Sequence, residues 1–341
     1  MSQIRAAITG VGGYLPEYIL TNEEISKMVD TTDEWIMSHI GVKERHILKD
    51  PEKATSDMAV EAVKNLFAKT NTRPDEVDML LWCGVTPDMA FPSTANIISD
   101  KVGVTNAFGY DINAGCSSFL YALVTASKFV ESGSHKKVVV VGADKMSTIV
   151  DYTDRSTCPI FGDGAGAVLL EPSTNQTGII DSMMKVDGAG RKHLFQAAGG
   201  SLLPPSFNTI LKKQHYIYQE GQPVFKAAVS KMSDTTVAMM QKHNLTAENL
   251  AWFVPHQANM RIIEACARRM NFPVEKTMVN IRRYGNTTAA TLPLCLWDYE
   301  KQLRPGDNLL LATFGAGFTW GAVYLQWAYN GEKIGHDLPN T

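Results

Sequence analysis

The stretch GYDINAGCSSFLYALVTAS, residues 109–127, joins a short strand-like run to an amphipathic helical pattern through an Ala-Gly-Cys turn. When the sequence is shifted by 170 residues, GYDINAGCSS falls on VNIRRYGNTT at 279–288. The same shift aligns two pairs of apolar runs, LLW (80–82) with LAW (250–252) and VVVV (138–141) with NLLL (308–311). One offset equal to half the chain length indicates an internal duplication rather than a chance likeness of two α/β segments.

Short β-branched runs alternate with helical patterns in both halves, which predicts an α/β fold with a parallel or mixed sheet covered by helices. Each half then ends in a glycine-rich segment, FGDGAGAVLL (161–170) or FGAGFTWGAVYL (314–325). We divide the chain into an N-terminal half, 1–177, and a C-terminal half, 178–341. The predicted strands are 78–85, 136–143, 250–256 and 308–315, and the predicted helices are 94–101, 116–131, 259–270 and 287–302.

Composition narrows the class of protein. The chain has 341 residues and a net charge of −3, which argues against general binding to nucleic acid or to a membrane surface. It contains no apolar run of about 18 residues, so we expect no membrane span, and no signal peptide is evident at the N-terminus. The five cysteines are scattered without a Cys-x-x-Cys pair. This pattern favours reduced thiols in a cytoplasmic protein and gives no sign of a metal site.

The offset places polar residues at matching positions of the two halves. Cys116 falls on Asn286, each where a helix is predicted to open, and Thr86 falls on His256, each where a strand ends. Strand ends and helix starts are where α/β sheets usually carry their chemistry. Two halves related by a pseudo-twofold axis would therefore bring Cys116, His256 and Asn286 together.

Each of the three residues has a chemical reading and a structural one. A helix N-terminus would stabilise a Cys116 thiolate, and Gly115 permits a sharp turn before it. His256 can polarise a thioester carbonyl or receive a proton, and Asn286 offers a neutral N–H donor. The alternatives are a small buried cysteine, a histidine bonded to nearby backbone, and an asparagine that caps a helix.

Two further features lie close to these residues in sequence. The turn FGAGFTWG (314–321) could direct a backbone N–H at the site as an oxyanion donor. It lacks the Gly-Lys-Ser/Thr of a phosphate-binding loop, and no segment fits the GxGxxG dinucleotide pattern. Arg261, Arg268 and Arg269 fall on one face of the helix after His256. That face indicates either an anionic partner or an ordinary solvated surface.

Eight motifs together resemble the β-ketoacyl-[acyl-carrier-protein] synthase III family, the condensing enzymes that initiate type II fatty-acid synthesis. The resemblance implies a thiolase-like fold of two duplicated α/β halves in α-β-α-β-α layers, and a cytoplasmic homodimer. The motifs are TTDEWIMSHIGVKERH (31–46), AFPSTA (90–95), DINAGCSSFLYAL (111–123), DRSTCPIFGDGAGAVLL (154–170), AAGGS (197–201), VPHQANMRII (254–263), GNTTAAT (285–291) and FGAGFTWG (314–321).

The resemblance implies a role for each residue of the site. Cys116 would be acylated by a primer acyl-CoA, while His256 and Asn286 would hold the malonyl thioester carbonyl and favour loss of CO₂. The backbone N–H groups of Cys116 and Ala316 would stabilise the oxyanion. Acyl-CoA and malonyl-acyl-carrier protein are substrates, and no cofactor is implied.

The resemblance also assigns binding residues. Trp35 would stack on the adenine of CoA, with Arg155 and His39 beside it, although His39 stands where relatives have an arginine. Phe91 would wall the acyl pocket, usually that of the partner subunit. The residues implied in docking the acidic carrier protein are Gln257, Arg261, Arg268, Arg269 and Lys226.

Some positions depart from the family pattern. Ala316 replaces a usual glycine, which would make a positive φ costly there. Ser117-Ser118 replaces the commoner Ala-Gly, and Gln219 replaces an expected Met. We expect these last changes to lie around the acyl pocket and to affect the choice of primer.

Two other functions compete with fatty-acid initiation. A polyketide-, quinolone- or olefin-type condensing enzyme of the same fold is one, and the docking arginines count against it. The other is a non-catalytic partner subunit, which the intact Cys116, His256 and Asn286 disfavour.

Overall fold

The computed structural model describes residues 4–333. Its strands are β1 (Arg5–Tyr14), β2 (Tyr18–Thr21), β3 (Glu44–Ile47), β4 (Met79–Cys83), β5 (Phe108–Ile112), β6 (Val138–Asp144), β7 (Gly164–Ser173), β8 (Gly178–Val186), β9 (Leu194–Gln196), β10 (Ile217–Gln219), β11 (Trp252–Pro255), β12 (Asn308–Gly315) and β13 (Thr319–Gln326).

The α-helices are α1 (Asn22–Ser26), α2 (Asp33–His39), α3 (Thr55–Thr70), α4 (Thr94–Val102), α5 (Ser118–Glu131), α6 (Phe207–Leu211), α7 (Gly221–His243), α8 (Met260–Arg269), α9 (Ile281–Tyr284) and α10 (Thr291–Tyr299). Short 3₁₀ turns span Pro74–Glu76, Met146–Thr148, Gly188–Lys192, Val274–Lys276, Thr288–Ala290, Glu300–Gln302 and Gly331–Lys333. Among residues 4–333, no helix is both long enough and apolar enough to cross a bilayer.

Two large sheets repeat one topology, which confirms the predicted duplication. The first sheet has the order β1-β7-β6-β4-β5, and the second has the order β8-β13-β12-β11. Both sheets contain an equivalent pair of neighbouring parallel strands, β4 with β6 and β11 with β12, and the remaining shared pairs are antiparallel. An isolated bridge from Phe253 to Thr277 takes the place that β5 has in the first sheet.

The single offset is wrong at one strand. Cys83 lies opposite Gly142, and Pro255 lies opposite Ala312. The 170-residue offset aligns Gly142 with Ala312, so the partner of Ala312 should be Phe253, which the same offset aligns with Cys83. The observed partner of Ala312 is instead Pro255, two residues later. His256 therefore corresponds to Gly84 in strand register, and the match to Thr86 does not hold.

The helices form the outer and middle layers of an α-β-α-β-α stack. Helices α3 and α4 cover the outer face of the first sheet, and α7 and α8 cover the outer face of the second. Helices α5 and α10 lie between the sheets in the largest apolar cluster. Every residue of β6 is buried, as expected for a strand covered on both faces.

The helix ends differ slightly from the sequence prediction. Helix α5 begins at Ser118, two residues after Cys116. The 3₁₀ turn that leads into α10 begins at Thr288, which is also two residues after Asn286. The matching positions of Cys116 and Asn286 are thus kept in the fold. The division at residues 177 and 178 stays a prediction, and β8 begins at Gly178.

Candidate active site

Cys116 lies in the tight turn between β5 and α5. Gly115 before it has φ 59°, in the left-handed region that favours glycine. The Ala114 N–H donates to the Ser118 hydroxyl at 2.8 Å, and the Ser117 N–H donates to the Ala114 carbonyl at 3.2 Å. The turn is therefore fixed by its own hydrogen bonds before the helix starts.

The turn between β12 and β13, from the other half, packs directly against this loop. The Thr313 hydroxyl donates to the Cys116 carbonyl at 3.0 Å, and the Thr319 hydroxyl donates to the Ala114 carbonyl at 2.7 Å. A Cβ placed on Gly315 would lie 2.6 Å from the Cys116 nitrogen. Only glycine at residue 315 allows the two backbones to approach so closely.

His256 follows β11 and is almost wholly buried. Its backbone N–H donates to the Ala312 carbonyl at 2.8 Å, which continues the pairing with β12. The ring Nδ1 lies 2.7 Å from the Thr291 hydroxyl at the start of α10. Burial lowers the pKa of His256 to about 3, so the imidazole is neutral at physiological pH.

Asn286 is held by backbone on both sides. Its N–H donates to the Ile160 carbonyl at 2.9 Å, and its carbonyl accepts from the Gly162 N–H at 3.1 Å. The side-chain Oδ1 accepts from the Thr288 N–H at 2.8 Å. Because the oxygen is bound in this way, the side-chain NH₂ is the group that Asn286 offers to a ligand.

One cavity of about 300 Å³ contains Cys116, His256 and Asn286 together. The structure therefore brings the three predicted residues to one cavity. Most of the remaining wall is apolar and comes from both halves, and it includes Ile149, Leu194, Phe195, Ile217, Val224, Phe225, Met232, Ile262 and Phe314.

The Cys116 thiol is protonated in this cavity. Burial raises the pKa of Cys116 to about 12, and the nearby Asp144 carboxylate adds to the increase. We expected a helix N-terminus to favour the thiolate. This expectation is not met, because α5 starts two residues later and desolvation outweighs the effect of its N-terminus.

The backbone amide of Ala316 lies beside the nucleophile turn. A Cβ placed on Gly115 would lie 2.7 Å from the Ala316 nitrogen, and Ala316 also lines the cavity. The expected cost of a positive φ does not arise at Ala316, because the left-handed residue of this turn is Gly317, with φ 134°.

The three predicted CoA residues form a cluster at the cavity. The rings of Trp35 and His39 are stacked with centroids 4.5 Å apart, and the Arg155 guanidinium lies 5.4 Å from the Trp35 ring centroid. Trp35 and His39 line the cavity. An aromatic face next to a cation is a suitable surface for an adenine base.

The serine pair after Cys116 does not line the cavity, which corrects our expectation. Both side chains are buried, and their hydroxyls donate to the Thr319 and Gly115 carbonyls at 3.1 and 2.6 Å. Gln219, in contrast, does line the cavity. Phe91 is 84% exposed and lies outside the cavity of its own chain.

The docking residues divide into two groups. Gln257 was wrongly placed among them: it is wholly buried, and its amide bonds to backbone groups of Pro255, Met278, Asn280 and Ile281. The other four, Arg261, Arg268, Arg269 and Lys226, are exposed.

The exposed arginines differ in how they are paired. Arg261 lies over the Phe225 ring, 5.3 Å from its centroid, at a wall of the cavity. Arg268 and Arg269 pair with Glu264 and Asp234 at 3.7 and 2.5 Å. Arg261 is therefore a docking candidate in contact with the cavity wall.

Sequence reasoning missed three residues that support the site. Asp144 ends β6 and is wholly buried, Thr288 adjoins Asn286, and Thr291 adjoins His256. The one signal for Asp144 was a carboxylate directly after the apolar run VVVVGA. In the part of the chain that the structure describes, no group of His, Cys, Asp and Glu could hold a metal ion.

A cysteine, a neutral imidazole and a neutral amide share one cavity where two equivalent halves meet. This fold and site define the condensing enzymes of the thiolase fold. Residues 110–188 match the 3-oxoacyl-[acyl-carrier-protein] synthase III family, and residues 240–327 match the C-terminal part of the same family. The chain belongs to the 3-oxoacyl-[acyl-carrier-protein] synthase III family.

Individual relatives agree over the full length. The chain is 57% identical to β-ketoacyl-[acyl-carrier-protein] synthase III 2 of Bacteroides thetaiotaomicron, over 98% of this chain and 99% of the relative. The 3-oxoacyl-[acyl-carrier-protein] synthase III structure from Aquifex aeolicus superposes with a TM-score of 0.87 at 39% identity, covering 94% and 100% of the two chains. The priming β-ketosynthase of the R1128 polyketide pathway has a TM-score of 0.88 at 29% identity, covering 95% and 97%. The higher identities favour the fatty-acid enzyme over the polyketide alternative.

Proposed function

We propose that Cys116 accepts a primer acyl group from an acyl-CoA and that His256 and Asn286 activate a malonyl group carried by acyl-carrier protein. The enzyme is an acyltransferase that performs a decarboxylative condensation at the start of fatty-acid synthesis. The observation that carries the proposal is the meeting of Cys116, His256 and Asn286 on one cavity.

The first step transfers the acyl group. The Cys116 sulfur attacks the thioester carbonyl of acyl-CoA, the bond to the CoA sulfur breaks, and the thiol proton ends on the departing CoA. Because the resting thiol is protonated, attack requires transfer of that proton as the new carbon–sulfur bond forms, and we assign the relay of the proton to the departing CoA sulfur to His256, which lines the same cavity.

The second step forms the carbon–carbon bond. The malonyl carboxylate leaves as CO₂, and its bonding electrons form an enolate on the remaining thioester. The enolate carbon attacks the acyl carbonyl on Cys116, the carbon–sulfur bond breaks, and the released thiolate takes up a proton. The product is a β-ketoacyl group on the carrier protein.

The charges of the site suit this second step. An enolate oxygen needs hydrogen-bond donors, and a carboxylate in the place of Asn286 would repel it. The Asn286 NH₂ is such a donor, and the low pKa of His256 keeps its imidazole neutral. The amides of Cys116 and Ala316 are the donors that we assign to the oxyanion on the acyl carbonyl.

The substrates would reach the cavity at its two sides. We assign the adenine end of CoA to Trp35, His39 and Arg155, and carrier-protein docking to the face around Arg261. No cofactor is needed for this chemistry. We further propose a cytoplasmic homodimer in which the exposed Phe91 contributes to the acyl pocket of the partner subunit.

Intact-protein mass spectrometry tests the acylation step. Wild type incubated with acetyl-CoA should gain one acetyl group, and Cys116→Ala should gain none. Cys158→Ala is the matched control, because Cys158 is buried outside the cavity and its loss should leave the adduct in place. An unmodified wild type, or condensation by Cys116→Ala with malonyl-carrier protein, would contradict the mechanism.

A further inference from the structure

Asp144 is a wholly buried carboxylate that the mechanism above does not use. It ends β6, and its Oδ1 accepts hydrogen bonds from the Val85 N–H at 2.7 Å and the Thr86 N–H at 2.8 Å. The Thr86 hydroxyl donates to the same oxygen at 2.8 Å. One side of the carboxylate is thus fixed to the strand end of the N-terminal half.

The other carboxylate oxygen reaches the C-terminal half. Asp144 Oδ2 accepts from the Thr288 hydroxyl in a short hydrogen bond and from the Ala289 N–H at 3.3 Å. Asp144 therefore ties the two halves together beside the cavity.

The backbone at Thr288 needs such support. Thr288 has φ 50°, in the left-handed region, and a β-branched residue is strained there. Strain of this kind persists only where the surrounding contacts hold it, and it is concentrated at functional sites. In this conformation the Thr288 N–H donates to the Asn286 Oδ1 at 2.8 Å.

We propose that Asp144 is a positioning residue for the decarboxylation step. Through the Thr288 hydroxyl it holds the Thr288 backbone, and the Thr288 N–H in turn fixes the Asn286 side-chain oxygen so that the NH₂ faces the malonyl thioester. The proposal deepens the proposed function, because it rests on the role of Asn286 as a donor to the enolate.

The orientation of the Asn286 side-chain amide decides whether it stabilises or destabilises the enolate that forms on loss of CO₂. With NH₂ toward the cavity it stabilises the developing enolate, while a rotated amide would present an oxygen and repel it. In the first step proposed above, acylation of Cys116 uses His256 and not the Asn286 side chain. Loss of the Asp144–Thr288 contact should therefore slow decarboxylation and spare acylation.

Two variants of Thr288 give a matched comparison. Thr288→Val removes the hydroxyl but keeps the size and β-branching of the side chain, and Thr288→Ser keeps the hydroxyl. We expect CO₂ release from malonyl-carrier protein to fall at least about tenfold in Thr288→Val and to stay within about threefold of wild type in Thr288→Ser. Acetylation of Cys116 by acetyl-CoA should stay within about threefold in both.

Asp144→Ala removes the carboxylate that accepts the hydrogen bond from the Thr288 hydroxyl, and so tests the same contact through the other residue. Asp144 is buried and is not among the residues found to line the cavity, so an effect of this variant cannot come from lost contact with substrate. It should reproduce the loss of CO₂ release with acetylation preserved or faster, because removing the carboxylate takes away one cause of the raised pKa of Cys116. The double variant Asp144→Ala/Thr288→Val should be no slower than Asp144→Ala alone.

The proposal is overturned if Thr288→Val releases CO₂ as fast as Thr288→Ser, or if acetylation and CO₂ release fall together in Thr288→Val. It is also overturned if a folded Asp144→Ala is slow in CO₂ release while Thr288→Val is not. If Asp144→Ala does not fold, the two Thr288 variants decide. Failure of the proposed function would show separately, as wild type that neither acetylates Cys116 nor releases CO₂.

Discussion

Gly115 and Ala316 are in backbone contact across the two halves of the chain. A Cβ placed on Gly115 would come within 2.7 Å of the Ala316 nitrogen and 3.0 Å of the Ala316 Cβ. Because Gly115 directly precedes Cys116, this contact sets the spacing of the Cys116 and Ala316 N–H groups, the two donors that we assign to the oxyanion.

Gly115→Ala should therefore cost both stability and activity. The left-handed φ alone costs about 1–2 kcal/mol, and the clash with Ala316 should add at least about 2 kcal/mol. Gly133→Ala is the matched control, because Gly133 also has a positive φ, 77°, but a Cβ there would meet nothing within 4 Å. Denaturant unfolding and condensation assays of both variants check the difference, and equal losses would contradict it.

The buried His256 should make stability depend on pH. Its pKa is about 3 in the folded protein and about 6.5 when unfolded, so below neutral pH the unfolded state binds a proton that the folded state does not. This contribution is present above pH 6.5 and is lost as the pH falls, by about 2 kcal/mol between pH 7 and pH 5. The free energy of unfolding of His256→Ala, measured in urea at both pH values, should lack this part of the decrease. Equal decreases in the two proteins would show that His256 protonates freely in the fold.

Charge reversal at Arg261 should weaken docking of the carrier protein. Arg261→Glu should raise KM for malonyl-carrier protein about tenfold and leave kcat nearly unchanged, with a smaller difference at high salt. The reaction with malonyl-pantetheine should not change, because that substrate lacks the protein surface. Arg73→Glu, on an exposed arginine of the N-terminal half, is the control for charge reversal elsewhere. An unchanged KM for Arg261→Glu would remove this face from the docking surface.

A buried ion pair joins the outer layer of the first sheet to the C-terminal half. The Lys69 and Glu300 side chains are 2% and 1% exposed and form a short ion pair, and the Tyr329 hydroxyl donates to Glu300 at 2.6 Å. Lys69→Met should cost about 3–5 kcal/mol, because Glu300 would be left buried without a cation.

The same helix provides the control for this pair. Lys64 pairs with Glu61 on the exposed side of α3, and Lys64→Met should change the free energy of unfolding by less than about 1 kcal/mol. The double variant Lys69→Met/Glu300→Leu should recover most of the loss. A small effect of Lys69→Met would mean that water reaches Glu300.

The sequence was sufficient to predict the duplicated fold and the three residues of the cavity. Helical and strand periodicity placed the main elements, and the 170-residue offset together with the family motifs placed Cys116, His256 and Asn286. Gln257 was wrongly expected on the docking surface for a physical reason. A polar residue after a strand usually faces solvent, but the Gln257 side-chain oxygen accepts hydrogen bonds from the backbone N–H groups of Asn280 and Ile281, in the buried turn before α9.

The local pattern around Asp144 could not show which groups its carboxylate contacts. Its hydrogen-bond donors come from Val85, Thr86, Thr288 and Ala289, which belong to different halves of the chain. The pKa of Cys116 was also out of reach, because it depends on how completely the folded cavity removes the thiol from water. Both properties arise only when the two sheets are packed together.

The repeated strand order bears on how such an enzyme can evolve. A symmetric pair of identical subunits would carry each helix-entry position twice, and any change at one copy would appear at the other. Joining the copies in one polypeptide removes that constraint. Here the two equivalent positions hold different residues, Cys116 and Asn286, each two residues before its helical segment. The two equivalent positions thus carry a thiol and a neutral amide, a difference that a symmetric pair of identical chains cannot encode.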